Sequence, residues 1–504
     1  MPESPEVPDD SDDENRWVCA DCIGEQWLSD EIRRTAESHH CMFCKETGPA
    51  ISIEELADRV GAAFETHFYR TTDQPDGFQW AMMKDPELDY EFEREGEEVL
   101  WAIAGAAEIS EEIAQAVLDI LSERYSDFDS AAMGEETEFD PESYYARRGP
   151  NDIEFQLDWQ ALERSIKAET RFFNKVAESV LDRIFEGAAD LRSRDGDPVI
   201  QTAGPDAEIA RFYRARVFHR DEKLESALAR PDRELGPPPS AIAPGGRMNA
   251  RGVSLFYGAT GRKAALAEVR PPVGARTLVG KFNVSRPLRL LDIDALRSIY
   301  VEGSVFDPGY MGRLELAKFL SSLSERITLP VMPDDEASEY LITQVVADYL
   351  ASKAALDLDG LLYPSVQRRG RHQNVVLFRR ASRVKALDLP DGSEVTANLQ
   401  HLDEDGPHPS YWVSETVPVY EPKADEPKDK GMFAGVLFEP STPYWNPFSE
   451  PEDDREPALS IDTETLEVHH IRSVRVKSDK YGVTRHRREK RVPRPAPKPD
   501  DDPF

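Results

Sequence analysis

The stretch PGGRMNARGVSLFYGATGRKAALAEVRP, residues 244–271, decides how the chain is read. Two glycines and Arg247 open it, a short apolar run ends in Tyr257, and Gly258 and Gly261 mark a turn. The run AALAE then reads as a short helix carrying Glu268 and stopped by Pro271, since proline has no N–H to donate and clashes with the preceding turn. One strand and one helix therefore bring together an arginine, a tyrosine and a carboxylate.

Around this stretch the pattern is mixed. TLVGKFNV (277–284), LRLLDID (288–294), DGLLYPSV (359–366) and NVVLFRR (374–380) read as strands, and EYLITQVVADYLASKAA (339–355) reads as a helix. A mixed α/β domain over 207–390 follows. Upstream, Ser52 and Glu55 form a capping-box signature ahead of Ile53, Leu56, Val60, Phe64 and Phe68 at helical spacing. Helical patterns recur over 96–125 and 158–191, which predicts a helical domain over 51–200. At 504 residues, with about 150 residues per domain as a guide, several units are expected. The expected class is multidomain α+β.

All four cysteines lie near the start, as Cys19-x2-Cys22 and Cys41-x2-Cys44 with eighteen residues between the pairs. Each knuckle offers two thiolates, and the loop lets the pairs converge on one tetrahedral Zn2+ over 17–50. Four thiolates close the coordination shell, so the expected role of the metal is structural. Two disulfides are the competing reading, and His39 or His40 beside Cys41 is an alternative ligand.

The formal net charge of −35 argues against general binding to nucleic-acid backbones, which requires cations to neutralise phosphates, but leaves a local basic patch open. The absence of an apolar run of about 20 residues argues against a membrane span. The start, MPESPEVPDDSDDENRW, has no secretory pattern, so a cytoplasmic location and a disordered acidic leader over 1–16 are expected. Residues 391–480 read as an acidic, proline-rich extension with some strand, and 481–504 as a disordered tail.

The order FYRARVF (212–218), GGRMNARGVSLFYGA (245–259), AALAEVRP (264–271), EYLITQVVADYL (339–350), DGLLYPSVQRRGRHQNVVLF (359–378) resembles the RES domain family. The resemblance covers about 207–383 and implies a fold similar to ADP-ribosyltransferase toxins, with chemistry on NAD+. It maps the family's arginine, tyrosine, glutamate and serine onto Arg247, Tyr257, Glu268 and Ser365. Arg214, Asn249 and Asn374 fall on substrate-binding positions. The segment 304–330 is an insertion relative to compact members.

The helical region resembles the HEPN-like domain that precedes some catalytic domains. Its sole histidine, His67, follows Arg59 by eight residues, which does not fit the R-x4-6-H nuclease spacing, so it reads as non-catalytic. What the RES resemblance implies is an enzyme that breaks the nicotinamide–ribose bond of NAD+, with phosphate as the expected co-substrate and water, as in a glycohydrolase, as the alternative acceptor. It also implies a toxin or defence effector restrained by an antitoxin; the domain order alone suggests instead that the N-terminal region is a fused regulator that senses a trigger protein or masks the pocket. Two competing readings are an ADP-ribosyltransferase acting on a macromolecule, and a catalytically silent protein recognising nucleic acid or protein.

Overall fold

The computed structural model describes residues 16–85, 87–127, 133, 135–329, 331–332, 334–365, 372–404, 406–418, 453–474 and 479–488. Apart from Arg16 and 481–488, the expected acidic leader and basic tail lie outside these residues.

The chain begins with an antiparallel sheet of β1 (Trp17–Cys19), β2 (Ser38–His40) and β3 (Thr47–Ser52), ordered β1-β3-β2, with α1 (Gln26–Thr35) between its first two strands. β3 runs directly into α2 (Ile53–His67), and the turn is fixed by the capping box. Ser52 Oγ accepts from Glu55 N at 3.1 Å while the Glu55 carboxylate accepts from Ser52 N at 3.1 Å. After β4 (Phe68–Arg70), α3 (Gly77–Lys84) and β5 (Glu97–Glu98) come α4 (Val99–Ala107), α5 (Glu111–Tyr125) and β6 (Tyr144–Arg147). Leu28 and Ile32 of α1 share one core with Ile53, Leu56, Val60 and Phe64 of α2 and with Ile103, Ile113, Val117 and Leu121 of α4 and α5. The cysteine segment and the first helices are thus one packed unit.

The next two helices pack elsewhere. α6 (Ile153–Arg164) and α7 (Lys175–Phe185) place Phe155, Trp159, Leu162, Leu181, Ile184 and Phe185 in a core with Leu291, Phe319, Leu323, Val346, Leu361 and Val376, which belong to the α/β region. The helices expected as one domain over 51–200 therefore divide between two cores. Helical periodicity reports that a face is apolar; it carries no information about which neighbour covers that face.

Beyond β7 (Arg192–Ser193) an eight-stranded sheet assembles from β8 (Ile200–Ala203), β9 (Arg211–Phe218), β10 (Phe256–Ala259), β11 (Arg276–Val284), β12 (Leu288–Asp292), β14 (Gly360–Pro364), β15 (Gln373–Leu377) and β18 (Leu459–His470). Its order is β18-β11-β9-β10-β15-β14-β12-β8, and β13 (Ile299–Tyr300) pairs separately with β7. α8 (Asp221–Ala229) and α9 (Pro231–Glu234) follow β9, and α10 (Arg262–Glu268) follows β10. α11 (Tyr310–Thr328) and α12 (Glu336–Ser352) separate β13 from β14, and β16 (Glu394–Asp403) forms a hairpin with β17 (Gly406–Thr416).

Alternation along the strands covers both faces of the sheet. Phe212, Phe256, Phe282, Leu362, Val375 and Leu377 pack with Leu224 and Leu228 of α8, while Leu361 and Val376 point into the core of α6, α7, α11 and α12. The segment expected as an extension supplies β18, which pairs with β11 from Val284↔Leu459 to Arg276↔His470 and buries Ala458 and Leu459. No helix among the described residues is long and apolar enough to cross a membrane.

A fragment of 207–390 would lack α6, α7 and β18. Each large apolar side chain left uncovered costs roughly 1.5–3 kcal/mol, and several together exceed the ~5–15 kcal/mol that stabilises a domain. It should aggregate or melt without cooperativity, whereas a fragment of 150–474 melts cooperatively. Equal thermal melts for the two fragments would contradict this packing.

Candidate functional site

The eight-stranded sheet is nearly two half-sheets. β9 pairs with β11 along its whole length, from Arg211↔Asn283 to Phe218↔Arg276, and β10 pairs with β15 from Phe256↔Leu377 to Ala259↔Asn374. Between β9 and β10 the ladder has one rung, Tyr213↔Ala259. Past that rung the strands part, and the residues singled out from the sequence gather around the opening. Arg214 follows Tyr213 on β9, Tyr257 lies two residues before Ala259 on β10, and Asn374 faces both Ala259 and Tyr363 across β15.

Glu268 ends α10, where Asn374 Nδ2 donates to its Oε2 at 3.0 Å. The other amide atom, Asn374 Oδ1, is buried with no partner among the described residues. The same holds for Ser365 Oγ, just beyond β14, and for Arg214 Nη1. The Arg214 guanidinium lies 5.2 Å over the Phe256 ring. Burial pushes it down to about 10, and Arg216 acts in the same direction. It nevertheless stays charged at neutral pH, and a half-buried cation with no carboxylate partner among the described residues favours an incoming anion.

The loop before β10 is held by its own side chains. Tyr257 OH donates to Asn249 Oδ1 at 2.6 Å and accepts from Met248 N at 3.1 Å. Asn249 Nδ2 donates to the carbonyls of Pro244, Ala250 and Val253 at 2.9, 3.1 and 2.8 Å. Asn249 is thus a loop staple in this structure, with its amide fully engaged. A Cβ on Gly246 would sit 2.8 Å from Asn249 Oδ1 and 2.9 Å from Tyr257 OH, which is why the second glycine is needed.

Arg247 also has a structural task. Its Nη1 donates to Ile327 O at 2.6 Å and its Nη2 to Leu329 O at 2.8 Å, satisfying carbonyls that the end of α11 leaves open. Its guanidinium lies 5.3 Å over the Tyr340 ring. Two tyrosines thereby join the site that the sequence reading did not single out. Tyr363 sits opposite Asn374, and burial, then Glu268 and Tyr257, push its phenol well above the usual range. Tyr340 is on α12. Tyr363 was within reach of the sequence, since it precedes Ser365 by two residues and alternation puts both on one face; Tyr340 carried no local signal.

The group can therefore bind an anion at Arg214 and hold a carboxylate beside neutral phenols. Residues 211–399 match the RES domain. The match spans β9 to β16, so every residue of the seam lies within the RES domain. No curated protein and no solved structure gives a significant match to the chain.

Outside the RES domain lies the cysteine cluster. The thiols of Cys19, Cys22, Cys41 and Cys44 are free and lie within 4.8 Å of one another, with Cys19 Sγ 3.5 Å from Cys44 Sγ and Cys22 Sγ 3.7 Å from Cys41 Sγ. A tetrahedron with Zn–S bonds of about 2.3 Å has sulfur–sulfur edges of about 3.8 Å, so the cluster can coordinate a metal ion of that kind. Burial pushes the Cys41 thiol up, but the backbone N–H groups of Cys44, Cys19 and Phe43 outweigh it and bring it down to about 7. His39 stacks on Trp17 at 3.5 Å, and among the described residues neither it nor His40 belongs to the four-cysteine group.

Two outcomes follow from this geometry. Asn249→Ala removes the bonds that fold the 244–254 loop and leaves the Tyr257 hydroxyl without its acceptor, so urea melts should show a loss of about 1–3 kcal/mol or more. Unchanged stability would remove the staple role. Cys41→Ser should lower the metal content of purified protein and the melting temperature together, and a chelator should reproduce the effect in the wild type. Protein that carries no stoichiometric metal when purified anaerobically would rule out the metal site.

Proposed function

We propose that this chain cleaves the nicotinamide–ribose bond of NAD+, with phosphate as the acceptor, at the seam between the two half-sheets. One observation carries the reading. Among the described residues, four buried side-chain polar atoms lack a hydrogen-bond partner, and three of them belong to Arg214, Ser365 and Asn374. An unsatisfied buried polar group costs about 1–3 kcal/mol, and a ligand that meets one donor and two hydrogen-bonding oxygens at this seam would recover it.

NAD+ meets these groups in a consistent order. Its pyrophosphate goes to Arg214, whose planar fork suits phosphate oxygens, with Arg247 beside it. Ser365 takes a ribose hydroxyl, and Tyr257 and Tyr363 wall the nicotinamide end. When the C1–N bond breaks, its electron pair leaves with neutral nicotinamide and positive charge grows on the ribose. Glu268, oriented by Asn374, stabilises that charge more in the transition state than in the ground state. A phosphate oxygen then bonds to C1, giving ADP-ribose phosphorylated at that carbon. The metal of the cysteine cluster, read as Zn2+, acts on structure alone.

The N-terminal unit is read as a fused regulator of a toxin or defence effector. Phe306, from the 304–330 insertion, is buried in the N-terminal core, so the unit grips a segment of the RES domain directly. Its HEPN-like helices are read as non-catalytic. His67 is buried beside Tyr310, at 5.7 Å between rings, and is kept neutral by that burial and by Arg147.

Incubation of the full chain with NAD+, with and without phosphate, should release nicotinamide and, with phosphate, a product heavier than ADP-ribose by one phosphate. Glu268→Gln should slow nicotinamide release by ~10^2-fold or more while NAD+ still binds. An unchanged rate would exclude Glu268 as the catalytic carboxylate, and no NAD+ consumption by the wild type would sink the reading.

A further inference from the structure

Arg247 borders a second space. A cavity of about 360 Å3 opens on the side of Ile327 and Leu329, whose carbonyls the arginine holds, and Tyr340 forms another part of its wall. Neither Glu268, Asn374 nor Tyr363 lines it. Arg247 and Tyr340 form one wall of it, with the guanidinium 5.3 Å over the ring, and Arg247 also belongs to the loop that Tyr257 holds at the seam. The volume falls in the ~300–1,000 Å3 range of small-molecule sites.

The far wall comes from outside the matched domain. Trp159 and Glu163 of α6 line the cavity, although α6 ends well before residue 211, where the RES domain begins. Trp159 is buried, and its Nε1 donates to Glu163 Oε1 at 2.9 Å, which fixes the carboxylate and leaves Oε2 for another donor. Glu339, also in the lining, is paired with Lys167 at 3.1 Å, but Glu163 has no cationic partner among the described residues. Arg326 and Asp335 also line the cavity, and the Arg326 guanidinium donates to Gln156 Oε1; the aromatic walls beside the fixed Glu163 carboxylate suit a flat ligand that carries hydroxyl donors. A nucleoside fits, because a carboxylate accepts well from ribose hydroxyls and repels a phosphate placed there.

We propose that this cavity is the subsite for the distal nucleoside of the dinucleotide, and that α6 makes it part of the active site from outside the RES domain. The inference rests on the NAD+ reading for what lies on the near side of Arg247. The order along the groove is then nicotinamide and its ribose at Glu268, pyrophosphate at the arginines, and adenosine between Tyr340 and α6. Glu163 selects a free ribose hydroxyl over a 2′-phosphate.

The test uses the full chain and AMP as probe, with binding measured by calorimetry alongside KM values for NAD+, its 2′-phosphorylated form and nicotinamide mononucleotide. Glu163→Gln keeps an acceptor for Trp159, so the fold is preserved. It should weaken AMP binding by about tenfold, the scale of one charge-assisted hydrogen bond. KM for NAD+ should rise alike, while kcat and the KM for the mononucleotide, which has no adenosine half, stay unchanged. Glu163→Lys should raise KM for NAD+ and lower it for the 2′-phosphorylated form, a reversal that a packing role for Glu163 would not produce. The subsite is overturned if AMP does not bind the wild type, binds both variants equally well, or if mononucleotide and dinucleotide KM values move together. If the wild type consumes no NAD+ but loses AMP on Glu163→Gln, the subsite stands and the proposed reaction falls.

Discussion

The site depends on one missing stretch of β-ladder. Had β9 and β10 paired along their lengths, backbone N–H and C=O groups would have closed the gap and the sheet would be continuous. They meet at Tyr213↔Ala259 alone, and the chain ahead of β10 folds as the loop 244–254. That loop cannot rely on sheet hydrogen bonds, so Asn249 and the Tyr257 hydroxyl supply them from side chains. The same tyrosine that holds the loop thereby becomes a wall of the opening.

An opening of this kind is electrostatically unbalanced. Arg214 is enclosed without a carboxylate partner, and Glu268 is held by an amide, Asn374, with no cation bonded to it among the described residues. The cost falls on Arg214, whose Nη1 is shut off from water with no partner among the described residues, whereas Glu268 stands exposed at the end of α10. Unpaired with each other, they give the opening a positive and a negative pole. Arg247 differs, because its fork already holds two carbonyls at the end of α11, and it therefore ties the position of that helix to the site.

α11 also explains how distant parts of the chain are joined. Its preceding residues, Val305 and Phe306, reach the core of the N-terminal unit, its middle packs through Phe319 and Leu323 against α6 and the sheet, and its end is gripped by Arg247. The segment 304–330 is thus the physical link between the cysteine-bearing unit and the opening. α6 and β18 extend the same principle, for each lies outside residues 211–399 and each completes a surface of the RES domain.

Much of this was legible in the residues. The capping box at Ser52 and Glu55, the apolar spacing of α2, the two cysteine knuckles and the turn that sets Glu268 on a short helix are local features. They depend on residues a few positions apart, where backbone geometry alone decides what can touch. The order of the RES motifs likewise named Arg214, Asn249, Asn374 and Ser365 as a set. What the chain's own pattern left undecided is long-range: that α6 and α7 leave the N-terminal helices for the sheet, that β18 returns from beyond the β16–β17 hairpin to pair with β11, that Asn249 spends its amide on the loop and Arg247 its fork on a helix end, and that Tyr340 joins the site. An apolar face or a free donor is satisfied equally well by many partners, and only the packed structure selects one.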